Sequence, residues 1–234
     1  MLNLFNRVTN SRGVLKVWKK GGLVLIHKKG STSDIYNYRP LTILQSMLAV
    51  YTKLLNHRLA TVVETHKLLG EIQNGFRKSR SGADSGFILN TILWKVVAKK
   101  KSVHLAFLDL QKAYDSVDRP TLWKKLARMG FGGKFLETLK NLYQGDHVIS
   151  EVGDVKTGPV FLGRGLRQGC SLSPLLFALY VAGLGFDLTM SQQGFLMYRI
   201  CVSALFFADD IVLISRTSEG LRELLGLVPG IART

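Results

Sequence analysis

A chain of 234 residues with 47% hydrophobic content can bury one sizeable core. Its 32 Lys and Arg against 16 Asp and Glu, a formal net charge of +16, call for an acidic partner, either nucleic acid or an anionic membrane surface. The N-terminus lacks a signal-peptide run and the apolar stretch 175–188 is short for a membrane span. Cys170 and Cys201 form neither a metal cluster nor a disulfide framework, so the expectation is an intracellular, reducing compartment with no membrane partner.

The charge is unevenly spread. Residues 1–101 hold 18 Lys and Arg against 4 Asp and Glu, whereas 102–234 hold 14 against 12. A basic excess confined to one half is expected to form a phosphate-binding face, because neutralising phosphates releases counterions and drives association.

In chain order, residues 1–22 mix helix-like stretches with Arg and Lys. Residues 23–27 read as a buried strand, bounded by Lys28-Lys29-Gly30 and a polar loop reaching Pro40. From 41 to 69 apolar residues fall at helical spacing (Leu44, Leu48, Tyr51, Leu55, Leu59), which predicts a long helix. Residues 84–98 repeat that signal. Residues 103–110 alternate, are rich in β-formers and end in a carboxylate, Asp109; His104 within them reads as a packed or edge side chain, and Lys99 to Lys101 before them as a solvated loop or, alternatively, a template contact.

Pro120 opens a helix with Asp118 as N-cap and Leu122, Trp123, Leu126 and Met129 as its apolar stripe, and Gly130 to Gly133 stop it. A further helix is expected over 135–143, a strand pair over 147–161 around Gly153-Asp154, and an apolar core helix over 171–184. Residues 203–215 read as strand, Ala-Asp-Asp turn, strand. Strands and helices without strict β-α alternation predict an α+β fold rather than a doubly wound sheet.

Three carboxylates stand out because apolar strands lead into them. Asp109 closes Leu105 to Leu108, and Asp209-Asp210 sit between Leu205-Phe206-Phe207-Ala208 and Ile211-Val212-Leu213-Ile214. Two such charges about 4 Å apart repel by roughly 4 kcal/mol at an effective dielectric near 20, which a cation, a proton or hydrogen bonds would have to offset. If Asp109 ends a strand beside that hairpin, three carboxylates converge as oxygen ligands of the kind Mg²⁺ takes. Two ions about 3.5–4 Å apart stabilise the attacking and leaving oxygens of a phosphoryl displacement. A basic chain with an acidic metal site implies nucleotidyl transfer or nucleic-acid hydrolysis.

The residues also resemble a family. Phe107 to Asp115 (FLDLQKAYD) resembles motif A of reverse transcriptases, Arg167 to Phe177 (RQGCSLSPLLF) resembles motif B, and Phe207-Ala208-Asp209-Asp210 resembles motif C. Upstream, Lys28-Lys29-Gly30 with Asn37-Tyr38-Arg39-Pro40-Leu41 is similar to the first fingers motif. Gln73 to Arg77 (QNGFR), with Arg80-Ser81, is similar to the second. Five motifs in the family's order run from about residue 17 to 215, and their wording looks most like the non-LTR retrotransposon (LINE-like) and group II intron enzymes.

That resemblance implies a right-hand polymerase of fingers and palm, with an antiparallel palm sheet and packed helices. The blocks would be fingers at 1–101, the first carboxylate strand at 102–118, a fingers–palm helical insertion at 119–160 and the palm with its aspartate hairpin at 161–234. It implies two Mg²⁺ ions, or Mn²⁺ in their place, held by Asp109, Asp209, Asp210 and the carbonyl of Leu110. It assigns the incoming triphosphate to Lys28, Arg39 and the backbone of Ala113 and Tyr114, with Lys29 able to replace Lys28. Gln168 and Gly169 would pack near nucleotide and template, and Arg77, Arg80 and Arg167 would touch template or primer. Tyr114, five residues after Asp109, falls where the family keeps an aromatic gate against the ribose 2′-hydroxyl. RNA template, DNA primer and deoxynucleoside triphosphates are the implied partners.

Past motif C the family adds a palm motif with a lysine, a primer-grip turn and a helical thumb. Residues 217–225 suit one short helix and nothing in 216–234 matches those elements, so a chain truncated before the thumb is expected. Three functions compete: an RNA-directed DNA polymerase core, an inactive truncated remnant that only binds nucleic acid, and an RNA-dependent RNA polymerase. The last is disfavoured because that family usually has an aspartate where Tyr114 stands.

Overall fold

The computed structural model describes residues 1–11, 13–152 and 155–228, so the expected Gly153-Asp154 turn lies outside the described residues. In chain order the elements are α1 (Leu2–Ser11), β1 (Lys20–His27), β2 (Tyr38–Ile43), α2 (Ser46–Thr65), α3 (Gly82–Ala98), β3 (His104–Asp109), α4 (Ala113–Ser116), α5 (Arg119–Arg128) and α6 (Gly133–Tyr143). They continue with β4 (His147–Val152), β5 (Val155–Lys156), β6 (Val160–Phe161), α7 (Ser173–Met190), β7 (Phe195–Met197), β8 (Ile200–Val202), β9 (Ala204–Phe207), β10 (Asp210–Ser215) and α8 (Ser218–Leu227). The mixture of helices with antiparallel and parallel ladders is the α+β class expected. Two compact units form, Met1–Arg58 with Tyr114–Ser173, and Leu59–Ala113 with Pro174–Thr234.

In the first unit, β1 pairs antiparallel with β2 from Gly22 opposite Ile43 to His27 opposite Tyr38. It pairs in parallel with β4 only over Lys20 to Leu23. Residues 24–27 therefore leave the wider sheet as a two-stranded ribbon. That overturns the expected buried strand: Val24, Leu25 and Ile26 are 38–48% exposed. An apolar run alone does not tell a sheet interior from a projecting ribbon. Leu41 to Ile43, expected to begin a long helix, are consumed by the β1–β2 ladder, and α2 starts only at Ser46.

α1 packs on α6. Phe5, Trp18 and Tyr51 form a buried aromatic cluster with ring centroids 5.1–6.4 Å apart, and the Tyr51 hydroxyl lies 2.8 Å from Thr9 Oγ1. α5 begins as expected: the Asp118 carboxylate accepts the Thr121 N–H at 2.9 Å, and proline occupies the first turn, where its missing N–H costs nothing.

In the second unit, β3, β10 and β9 make an antiparallel sheet in that order. α3 covers one face of it. Ile92 and Val96 pack with Leu205 and Ile214, and with half-buried Ile88, Leu105 and Val212. α8 packs against β10 and β3. The core helix over 171–184 is present but longer. α7 runs through Gly183 and Gly185 to Met190, because Leu175 to Val181 are nearly all buried and tertiary packing overrides weak helix formers. By length and composition α7 could cross a membrane, yet 61% of its apolar window is buried within the protein, as befits a core helix.

Candidate active site

β9 and β10 form a hairpin closed by two residues, Ala208 and Asp209. Ala208 has φ +62°, a left-handed conformation that costs a residue with a Cβ about 1 kcal/mol or more. β10 pairs with β3 so that Asp210 lies directly opposite Asp109. Opposite residues of an antiparallel pair share a face, with Cα atoms roughly 4.5–5.5 Å apart. Asp109, Asp210, Phe107 and Phe207 therefore share the sheet face whose other half, Leu105, Leu205, Val212 and Ile214, lies under α3.

The aspartate end stays open. Asp109 and Asp210 are exposed, Asp209 is half-buried, and Phe107 is 69% exposed. The structure thus brings Asp109 and Asp210 together, with Asp209 on the adjoining turn. Among the described residues no group of three His, Cys, Asp or Glu side chains closes into an all-protein metal cage. Magnesium seldom uses such a cage; one or two carboxylates with waters and substrate phosphates are its usual donors, and the Asp109–Asp210 pair is a donor set of that kind.

The QNGFR motif, expected in the fingers, lies against this hairpin. Phe206 N–H donates to Ile72 C=O at 2.7 Å and Asn74 N–H donates to Phe206 C=O at 2.9 Å, so the strip extends the β9 edge as a parallel bridge. Gln73 is 3% exposed, and its Oε1 accepts both the Gly75 N–H at 2.8 Å and the Ala208 N–H at 3.3 Å. A Cβ on Gly75 would meet Ala208 N at 2.3 Å, so only glycine fits there.

Arg77, expected as a template or primer contact, turns inward instead. Its side chain is 4% exposed, forks onto Glu64 at 2.8 and 2.7 Å, and donates to the carbonyls of Gly70 and Gln73. The Arg77 hydrogen bond holds the Glu64 carboxyl below its usual range. Arg80 reaches the surface, with its guanidinium on Glu71 and the Asn74 side chain.

Within the first unit, Lys28 and Arg39 are exposed on the β1–β2 hairpin, with Arg39 opposite Ile26 and the Lys28 N–H on Asn37 C=O at 2.8 Å. Motif B is a turn laid on β2. Thr42 N–H donates to Gln168 C=O at 2.7 Å, and Gly169, at φ +103°, leaves no room for a Cβ, which would lie 2.6 Å from Thr42 C=O. Gln168 Nε2 reaches Asp115 Oδ1 at 3.3 Å, and Tyr114 C=O accepts the Leu166 N–H at 2.8 Å. Half-buried Tyr114 is thereby tied to Gln168 and Gly169 through one loop. In the second unit, Leu110 follows β3 half-buried and Ala113 is buried.

Arg167 is also turned inward rather than toward template, and the reason was invisible in the sequence. Asp146, 1% exposed, receives Arg167 Nε at 3.1 Å and both terminal nitrogens of Arg119, at 2.7 and 3.1 Å. The two guanidiniums also donate to the carbonyls of Leu142, Tyr143, Leu162 and Gly165. Tyr143 lies beside both, 4.9 and 5.4 Å from the guanidinium carbons, and burial pushes its phenol pKa up. Neither Asp146 nor Arg119 was expected to matter, since their partners lie 21 to 46 residues away.

A family profile described as reverse transcriptase (RNA-dependent DNA polymerase) matches residues 26–232. The Pol polyprotein of the type-1 element R2 from Nasonia vitripennis is 30% identical over 226 residues, covering 97% of this chain and 22% of that protein. The RNA-directed DNA polymerase of the mobile element jockey from Drosophila melanogaster is 25% identical over 225 residues, covering 96% of this chain and 24% of that protein. The chain thus spans about a quarter or less of the length of these relatives. Among solved structures, telomerase from Candida tropicalis with a fragment of telomeric RNA superposes with TM-score 0.63 at 12% identity, covering 96% of this chain and 41% of that one. Telomerase from Candida albicans gives 0.61 at 13% identity, covering 98% and 43%. Those likenesses establish the fold, a polymerase fingers and palm. Profile, relatives and fold agree that the chain belongs to the reverse transcriptase family, of the non-LTR retrotransposon type.

Proposed function

We propose that this chain carries the polymerase core of an RNA-directed DNA polymerase, extending a DNA primer 3′-hydroxyl with deoxynucleotides on an RNA template. The observation that carries the reading is the Asp109–Asp210 cross-strand pair on the open end of the β3-β10-β9 sheet. In this reading, the palm is the unit Leu59–Ala113 with Pro174–Thr234, which carries the aspartate hairpin, and the fingers lie within Met1–Arg58 with Tyr114–Ser173.

Asp109, Asp209 and Asp210, with the Leu110 carbonyl, would hold two Mg²⁺ ions. Those ions, when bound, supply Lewis-acid stabilisation of the attacking and leaving oxygens. Lys28 and Arg39, both exposed on one hairpin, neutralise the triphosphate through charge-assisted hydrogen bonds. The backbone of Ala113 and Tyr114 lines the same phosphates. The Tyr114 ring crowds the ribose 2′ position, and Gln168 and Gly169, fixed on β2, position nucleotide and template. Arg80 is the surface arginine of its motif and contacts the template. The basic excess of residues 1–101 supplies long-range attraction for the RNA–DNA hybrid.

Primer extension on an RNA template in Mg²⁺, with deoxy- and ribonucleotides supplied separately, tests the reading. Extension with deoxynucleotides is expected. Binding without extension would favour a remnant that only binds nucleic acid, and preference for ribonucleotides would favour an RNA polymerase.

A further inference from the structure

Gln73 shows a local conflict in its hydrogen bonding. It is 97% buried, and because its Oε1 accepts two backbone N–H groups the amide can point only one way. That orientation leaves Nε2 buried without a hydrogen-bond partner among the described residues. An inward-facing apolar residue would avoid this, and such conflicts gather where a site needs a fixed geometry. Here the fixed element is the Ala208–Asp209 turn. Ala208 sits at φ +62° without being glycine, and its N–H rests on Gln73.

The strip that carries Gln73 is held on three sides. Phe206 exchanges backbone hydrogen bonds with Ile72 and Asn74. Asn74 Nδ2 donates to Ser85 Oγ on α3 at 2.8 Å. Arg77, locked on Glu64, donates to the Gln73 carbonyl at 3.2 Å. Gly75 closes the last gap, with no space for a Cβ against Ala208.

We infer that Gln73 is a positioning residue for Asp209: its side-chain oxygen holds the strained Ala208 N–H and so aims the adjoining carboxylate toward divalent metal and primer terminus. This rests on the polymerase reading, but its test does not depend on polymerase activity alone. In the wild-type chain the Ala208 amide is expected to exchange slowly with solvent deuterium; fast exchange would overturn the inference directly. Gln73→Met, similar in length but lacking the acceptor, is expected to speed that exchange and weaken Mn²⁺ binding. It should also lower kcat for deoxynucleotide addition by about tenfold with KM little changed, the scale of one lost hydrogen bond felt in the transition state.

Ala208→Gly, which takes positive φ without strain, is expected to restore most of the Mn²⁺ affinity and kcat when combined with Gln73→Met. A lower Tm with Mn²⁺ affinity and kcat unchanged would make Gln73 merely structural and overturn the inference, as would failure of the glycine to rescue. A wild-type chain that never extends a primer, yet shows the exchange and Mn²⁺ effects, would reject the polymerase reading and leave this inference standing.

Discussion

Asp109 and Asp210 are direct cross-strand partners, joined in register at the open end of an antiparallel ladder. Below them on the same face the partners are Phe107 with Val212 and Leu105 with Ile214, so the ladder passes from core to carboxylates within six residues. Like charges placed directly opposite each other destabilise a sheet. A carboxylate pair placed at that cost is a donor set that a bound cation would stabilise.

Asp109→Asn should therefore raise the Tm slightly in metal-free buffer while weakening Mn²⁺ binding. Thermal unfolding with and without Mn²⁺ checks this. A mutant less stable than wild type without metal would show that the pair is held by something other than a bound cation.

Asp146 gives the opposite expectation. Truncation to alanine leaves two buried guanidiniums without their shared carboxylate, a change that typically costs about 3–5 kcal/mol. Urea unfolding of Asp146→Ala should show a loss of that order. A change under about 1 kcal/mol would mean that the carbonyls of Leu142, Tyr143, Leu162 and Gly165 suffice to satisfy both arginines.

Glu64 predicts a pH dependence. Its hydrogen bond from Arg77 lowers the folded-state pKa below the ordinary 4.5. The stability it contributes is present above the unfolded value and is lost as pH falls through the folded one. Wild type should exceed Glu64→Gln in stability at pH 7, and the gap should narrow below about pH 4.5. Denaturant midpoints at pH 7 and pH 3 decide it, and a gap that widens in acid contradicts the role.

The proposed function has the Tyr114 ring select the sugar. Tyr114→Ala should raise the ratio of ribo- to deoxynucleotide incorporation without loss of Mn²⁺ binding. An unchanged ratio would make Tyr114 a packing residue and locate the gate elsewhere.

The aspartate hairpin was legible because apolar, β-forming runs flank the Ala-Asp-Asp turn and another ends at Asp109. The α5 start was legible for a local reason too, since Asp118 and Pro120 act within one turn. What failed was non-local. Arg77 and Arg167 read as outward-facing basic residues, because Glu64 and Asp146 are 13 and 21 positions away and nothing in the order of residues announces the pairing. The exposure of Val24 to Ile26 depends on where β4 stops pairing with β1, which composition does not encode. Gln73 was legible as a motif member, but its partner Ala208 lies 135 residues on.

The most direct measurement is the single-turnover rate of deoxynucleotide addition to a primer on an RNA template, wild type against Asp109→Asn, at saturating Mg²⁺. Measurable extension by the wild-type chain is expected, with a fall of at least about a hundredfold in the mutant, the scale of losing one preorganised electrostatic group. Equal rates in the two proteins would contradict the assignment of the Asp109–Asp210 pair as the centre of nucleotidyl transfer.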